Sequence, residues 1–140
     1  MMRRLMHAGI VCLALALMSM LASTVSAQYS EAKAPKMLIA APEHDFGKVK
    51  EGESVSFIFP VKNTGSGELV IANVSPGCGC TTSDFSKAVA AGGEGKITLT
   101  INTAGMSGKQ SRYADVISND KTQPNFKLWV HLDVQKSANH

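Results

Sequence analysis

The sequence has little net charge. It contains 14 Lys and Arg against 11 Asp and Glu, giving a formal net charge of +3, and two of the arginines, Arg3 and Arg4, lie at the start of the chain. Acidic and basic residues are otherwise interspersed, which is typical of an ordinary solvated surface. We therefore expect no charge-driven attraction to nucleic acid or to an anionic membrane, and nucleic acid is not predicted as a partner.

The sequence also lacks the common catalytic and phosphate-binding motifs. Gly92-Gly93-Glu94-Gly95 precedes a predicted strand and has no following Lys-Ser/Thr, which argues against a phosphate-binding loop. No serine lies in a Gly-x-Ser-x-Gly element. His44 and Asp45 are neighbours, but adjacent strand residues face opposite sides, which is poor geometry for a proton relay. We predict no catalytic residue and a protein that is not an enzyme.

Helical periodicity is absent after residue 27. Apolar side chains instead alternate with polar ones, and turn signals recur every ~8–12 residues, as in all-β sandwiches. This pattern predicts an immunoglobulin-like β-sandwich over residues 37–135, preceded by a flexible leader over 28–36 and followed by a loose tail over 136–140. The clearest alternating segments are 55–61, 97–101 and 126–134.

The first 27 residues have the pattern of a secretory signal peptide. Two arginines precede an apolar run from Ala8 to Leu21, and small residues follow up to Ala27. The apolar run is shorter than the ~20 residues that a spanning helix needs. We predict cleavage after Ala27, a periplasmic or extracellular location, and no membrane span in the processed chain. Cys12 would leave with the signal peptide.

The two remaining cysteines, Cys78 and Cys80, are one glycine apart in a predicted turn that Pro76 and Gly77 begin. A disulfide between them closes a very small ring, and strained bridges are the easily reduced ones, which suggests a redox role. Two thiolates also supply half of a soft-metal site for copper or zinc. The remaining possibility is a purely structural turn, with the cysteines bridged or packed as small apolar side chains.

A metal site of this kind needs further ligands. His44 and His131 are the plausible imidazoles, because His7 lies in the predicted signal peptide and His140 ends the tail. The sequence does not show whether either of them comes near the sulfurs.

The last predicted strand offers a second candidate surface. Trp129 and His131 share its outward face, where an exposed aromatic residue suggests a patch that binds another protein. The alternative is that a loop covers this face. An exposed sheet edge would add a second mode of recognition, in which the partner contributes a strand.

Several short motifs occur in a familiar order along the chain. They are Pro42-x-His44-Asp45-Phe46-Gly47, Asn63-Thr64-Gly65, Cys78-Gly79-Cys80-Thr81-Thr82 and Ser118-Asn119-Asp120. Together they resemble a family of exported bacterial proteins classed as a domain of unknown function, which is similar to the Hydin-type (ASH) and major-sperm-protein branch of immunoglobulin-like domains. The resemblance implies a sandwich of seven to eight antiparallel strands, brings no catalytic residue, and by analogy favours a binding or scaffolding role.

Two functions follow from these patterns. The first is a non-enzymatic exported module that binds another envelope protein or supports the envelope, without a cofactor. The alternative is a periplasmic thiol-redox or soft-metal protein, in which Cys78 and Cys80 react or hold copper or zinc.

Overall fold

Alternating side-chain character organises the chain into strands. The computed structural model describes residues 32–138, and within them every regular element is a β-strand. The all-β prediction is therefore confirmed. The strands are β1 (Met37–Leu38), β2 (Glu43–Lys50), β3 (Ser54–Asn63), β4 (Leu69–Pro76), β5 (Thr81–Phe85), β6 (Ala88–Val89), β7 (Glu94–Asn102), β8 (Gly108–Ser118) and β9 (Asn125–Gln135).

Two sheets form the sandwich. One has the strand order β1-β3-β7-β5, and the other has the order β2-β9-β8-β4-β6. The prediction of seven to eight antiparallel strands needs a correction, because residues 32–138 contain nine strands and β2 pairs with β9 in parallel. The cause is a change of sheet after β1, which pairs with β3, whereas β2 joins the other sheet beyond Pro42.

The core lies between the inner faces of the two sheets. Every second residue of the predicted alternating segments faces this core, and most are buried, as in Phe59, Leu99 and Leu128, each with 0% exposure, whereas Val55, Phe57 and Phe126 are half-buried at its margin. Burial of one such side chain stabilises the fold by roughly 1.5–3 kcal/mol. Pro60 pairs with Lys96 of β7 and lies beyond the two residues of β3 that β1 covers, so the missing N–H faces an open edge.

The chain ahead of β1 is anchored to the turn after β3. The Ala34 carbonyl accepts backbone hydrogen bonds from Ser66 and Gly67, and the Lys36 carbonyl accepts one from Thr64 at 2.9 Å. A Cβ at Gly65 would lie 2.2 Å from the Ala34 oxygen, so this approach requires glycine. The leader predicted over 28–36 therefore ends in a segment held by hydrogen bonds.

Asp120 fastens the start of β1 to the loop between β8 and β9. Its side chain is buried and accepts hydrogen bonds from the backbone N–H of Met37 and Gln123 and from both N–H and hydroxyl of Thr122. Burial alone would raise the pKa of Asp120, but these hydrogen bonds outweigh it and hold the pKa below its ordinary value.

Some predictions lie outside the described residues. These are the signal peptide over 1–27 with Cys12, the first part of the leader, and the last two residues of the tail. Residues 136–138 follow β9 without a strand. The part of the chain that the structure describes contains no helix long and apolar enough to cross a bilayer.

Candidate functional site

The cysteine turn carries the chain from one sheet to the other. It follows β4 and precedes β5, and three backbone hydrogen bonds hold it in place. Gly77 N–H donates to the Tyr113 carbonyl at 2.9 Å, Asn102 N–H donates to the Cys80 carbonyl at 2.9 Å, and Thr81 N–H donates to the Cys78 carbonyl at 3.3 Å. The turn is therefore tied to β8 and to β7 independently of its side chains.

Cys78 and Cys80 are joined by a disulfide bond, with their Cα atoms 5.4 Å apart. Both residues are half-buried, and Gly79 between them is exposed. The buried Thr81 places its hydroxyl oxygen 3.5 Å from Cys78 Sγ and 3.9 Å from Cys80 Sγ. A thiolate metal site would require this bond to be reduced, because the bridged sulfurs are not thiolates.

The two histidines lie on opposite faces of the five-stranded sheet. His44 pairs in register with Val130, whose side chain is buried, whereas His131 pairs with the exposed Asp45. A single metal site that contains both imidazoles is therefore excluded. No group of three or more His, Cys, Asp or Glu side chains within residues 32–138 is placed to hold a metal ion.

The His44 side chain is half-buried and packs against aromatic side chains at the edge of the core. Its ring stacks on Phe57 of the opposite sheet with centroids 3.6 Å apart, and it meets Phe46 edge-on at 4.7 Å. Asp45 faces the other way and accepts a hydrogen bond from the Gly47 N–H at 2.8 Å. The pair forms no proton relay, and Asp45 satisfies a backbone donor, as short polar side chains often do.

Three rings form an aromatic strip on the outer face of the five-stranded sheet: Tyr113, Trp129 and His131. The Tyr113 and Trp129 centroids are 5.3 Å apart, and the Trp129 and His131 rings are parallel at 6.4 Å. Trp129 is 38% exposed, so the strip remains open to solvent. Lys127 covers part of it, with Nζ 4.0 Å from the Tyr113 ring centroid and 3.2 Å from Asp115 Oδ1.

Two polar residues that sequence reasoning missed fix the His131 ring. Ser111 Oγ lies 2.8 Å from Nδ1, and Glu43 Oε1 hydrogen-bonds Nε2. Ser111 belongs to β8, His131 to β9 and Glu43 to β2, so three neighbouring strands contribute to this hydrogen-bonded row of Ser111, His131 and Glu43. No local pattern identifies it, because Glu43 and His131 are 88 residues apart in the chain.

The cysteine turn and the aromatic strip are contiguous. Gly77 lies against the Tyr113 ring so closely that a Cβ at this position would be 2.6 Å from Cζ. The Tyr113 ring in turn contacts Trp129. The cysteine turn and the aromatic strip are far apart in the sequence, but in the structure they meet at Gly77 and Tyr113.

Comparison with known proteins places this geometry in a family context. The family model described as "Protein of unknown function (DUF1573)" matches residues 37–134. No curated protein matches the chain significantly. Among solved structures, the chain is similar to a protein of unknown function from Porphyromonas gingivalis W83, with a TM-score of 0.65 and 18% identity over 73% of this chain and 48% of that one.

Two further solved structures are similar. The human CEP192 ASH/PapD-like domain 7 has a TM-score of 0.57 at 13% identity, covering 83% of this chain and 96% of that domain. The VesB protease of Vibrio cholerae also has a TM-score of 0.57, at 12% identity over 71% of this chain and 31% of that one. Likenesses at these identities show the fold alone, and they confirm the predicted immunoglobulin-like sandwich and its resemblance to ASH domains. The chain spans about half the length of the Porphyromonas protein.

Proposed function

The chain belongs to the DUF1573 family of proteins of unknown function, and we propose that it is an exported, non-enzymatic module that binds another protein of the cell envelope. The observation that carries this proposal is the aromatic strip. Trp129 and Tyr113 lie side by side on an open sheet face, and Trp129 remains 38% exposed. Tryptophan and tyrosine are enriched among the residues that dominate binding energy at protein interfaces.

The surroundings of the strip match the usual anatomy of such an interface. Lys127 and Asp115 form an ion pair on one side, and Glu43 with His131 forms a polar contact on the other. The strip is thus an aromatic centre with positively and negatively charged side chains at its edge. Such a surface suits a partner protein that has an apolar patch surrounded by complementary charges. The sequence pattern of the first 27 residues supports export.

The test compares partners captured by the wild type and by two single variants. Trp129→Ala removes the centre of the strip, and Ile58→Ala is the matched control, because Ile58 is an exposed apolar residue, at 51%, on a strand of the other sheet. Each purified protein is cross-linked to envelope extract, and the captured proteins are identified by mass spectrometry and then re-measured as pure components.

We expect a partner of the strip to bind the wild type and Ile58→Ala with equal affinity. Its affinity for Trp129→Ala should be at least tenfold lower, which corresponds to about 1.4 kcal/mol. Circular dichroism and thermal melting of the variants show whether each remains folded. Equal binding by all three proteins means that the strip is not the interface, and the proposal then fails.

A further inference from the structure

We propose that Cys78–Cys80 is a thiol–disulfide exchange site, which accepts two electrons from a dithiol protein in the compartment to which the chain is exported. The first observation is the small loop that the bridge closes. The two cysteines are separated by only two positions in sequence. Because the stabilisation from a disulfide grows with the length of the closed loop, a bridge of this kind contributes little to holding the sandwich together.

The second observation is that the turn is already fixed without the bridge. Its backbone is hydrogen-bonded to Tyr113 on one side and to Asn102 on the other, and Gly77 packs on the Tyr113 ring. Beyond the turn, Ser83 Oγ donates to the Val74 carbonyl at 2.8 Å and links β5 to β4. Reduction of the bridge therefore leaves the path of the chain determined by other contacts.

The third observation is access. The sulfur-bearing residues are half-buried, Gly79 between them is exposed, and a Cβ built on Gly79 meets no atom within 4 Å. The side of the disulfide-closed loop on which Gly79 lies is therefore open, and an incoming thiolate has room to approach there. Disulfides that an attacking thiol can reach exchange more readily than inaccessible ones.

The position of Thr81 indicates the direction of the exchange. A thiolate of the partner attacks Cys80 Sγ, the Cys78–Cys80 bond breaks, and its electron pair leaves on Cys78 Sγ. The Thr81 hydroxyl lies nearer to Cys78 Sγ, at 3.5 Å, than to Cys80 Sγ, at 3.9 Å, and is therefore placed to donate the shorter hydrogen bond to a thiolate on Cys78.

The second half of the exchange completes the electron balance. The second thiolate of the partner attacks the partner's own sulfur in the mixed disulfide and releases the Cys80 thiolate, and the two protons of the original dithiol end on Cys78 and Cys80. The net reaction converts this protein's disulfide to two thiols and the partner's dithiol to a disulfide.

The first experiment uses the secreted wild type and glutathione as the probe. The protein is equilibrated with graded ratios of reduced to oxidised glutathione, quenched with an alkylating reagent, and weighed intact. We expect both thiols to appear together at ratios of reduced to oxidised glutathione like those of the compartments that receive exported proteins. The circular dichroism spectrum and the melting temperature should stay nearly unchanged. A bridge that survives a large excess of reduced glutathione, or a domain that unfolds on reduction, would overturn the proposal.

The second experiment tests the order of attack. Cys80→Ser leaves the Cys78 thiol and Cys78→Ser leaves the Cys80 thiol, and the rate of alkylation of each is followed against pH. We expect Cys78 to react at lower pH than Cys80, and Thr81→Val to remove that difference. Thr82→Val is the matched control, because Thr82 is its exposed neighbour on β5.

Identical profiles for the two thiols, or no effect of Thr81→Val, would overturn the assignment of Cys78 as the leaving group. The glutathione titration involves no protein partner and no variant. Its outcome is therefore independent of whether the aromatic strip binds a protein, and the two proposals fail separately.

Discussion

Gly77 packs directly against the Tyr113 ring, and its N–H donates a hydrogen bond to the Tyr113 carbonyl at 2.9 Å. One residue of the cysteine turn thus contacts both the backbone of β8 and the side chain that begins the aromatic strip. We therefore expect a change in the turn to displace the Tyr113 ring and, because the two ring centroids are 5.3 Å apart, to alter the surroundings of Trp129.

Gly77→Ala is expected to destabilise the domain. The new methyl group would lie 2.6 Å from Tyr113 Cζ, so either the ring or the turn must shift, at a cost of about 1–3 kcal/mol. Urea unfolding of the oxidised protein measures the loss. Because the sequence has a single tryptophan, Trp129, its fluorescence emission reports directly on displacement of the neighbouring ring.

Gly79→Ala is the control for this variant. A Cβ at Gly79 meets nothing within 4 Å, and the expected change is within about 0.5 kcal/mol. If the two alanine variants have the same free energy of unfolding and the same emission spectrum, the contact between Gly77 and Tyr113 is not tight in solution.

Asn63→Ala is expected to lower the free energy of unfolding by roughly 2–4 kcal/mol. The Asn63 side chain is fully buried, donates to the Gly67 and Val89 carbonyls at 2.7 and 3.0 Å, and accepts from the N–H of Gly65 and Lys36. Its loss leaves buried backbone groups unpaired, each at a cost of ~1–3 kcal/mol. Thermal or urea unfolding provides the measurement.

Asn102→Ala serves as the comparison for Asn63. Asn102 is exposed, and its side chain accepts one hydrogen bond, from the Ala104 N–H at 2.9 Å. A loss below about 1 kcal/mol is expected there. A loss at Asn63 as small as that at Asn102 would contradict the role of the Asn63 side chain as the link between three segments.

Asp120 makes the stability of the domain depend on pH. Its pKa is lowered in the folded state, so the ionised carboxylate contributes stability that is present above the unfolded pKa of about 3.9 and is lost as the pH falls through the folded value. We expect Asp120→Asn to cost about 1.5–3 kcal/mol at pH 7, because one acceptor facing the Met37 N–H becomes a donor.

The difference between wild type and Asp120→Asn should stay constant from pH 7 down to the unfolded pKa of about 3.9 and then shrink. Below that pH the unfolded chain takes up a proton at this carboxyl while the folded carboxylate stays ionised, and the advantage is lost as the pH falls through the folded value. Urea unfolding at a series of pH values measures this. Asp84→Asn is the control, because Asp84 is exposed on β5. A difference that stays constant below the unfolded pKa as well would show that the charge of Asp120 is not what stabilises the loop.

The export prediction has a direct measurement. When the full chain is expressed in a bacterium with an intact secretion pathway, the exported form should begin at Gln28, because the small residues before it fit the cleavage site. Intact mass and N-terminal sequencing of the periplasmic fraction check this. Retention of the full-length chain in the membrane would contradict it.

Much of the fold could be predicted because local side-chain character is sufficient to define it. The alternation at 126–134 identified the inner and outer faces of β9 correctly. The parallel pairing of β2 with β9 could not be predicted, because the residues between β1 and β2 do not show that the chain changes sheets there. The same pairing is what separates His44 from His131.

The amino-acid sequence alone was enough to establish the β-sandwich, the tight turn that carries Cys78 and Cys80, and the outward position of Trp129. Each of these depends on neighbours a few residues away, whose periodicity and turn propensity are visible in the chain itself. The contact of Gly77 with Tyr113 and the row Ser111–His131–Glu43 required the folded molecule. They depend on strand register between distant segments, and register is settled only when the two sheets close over a common core.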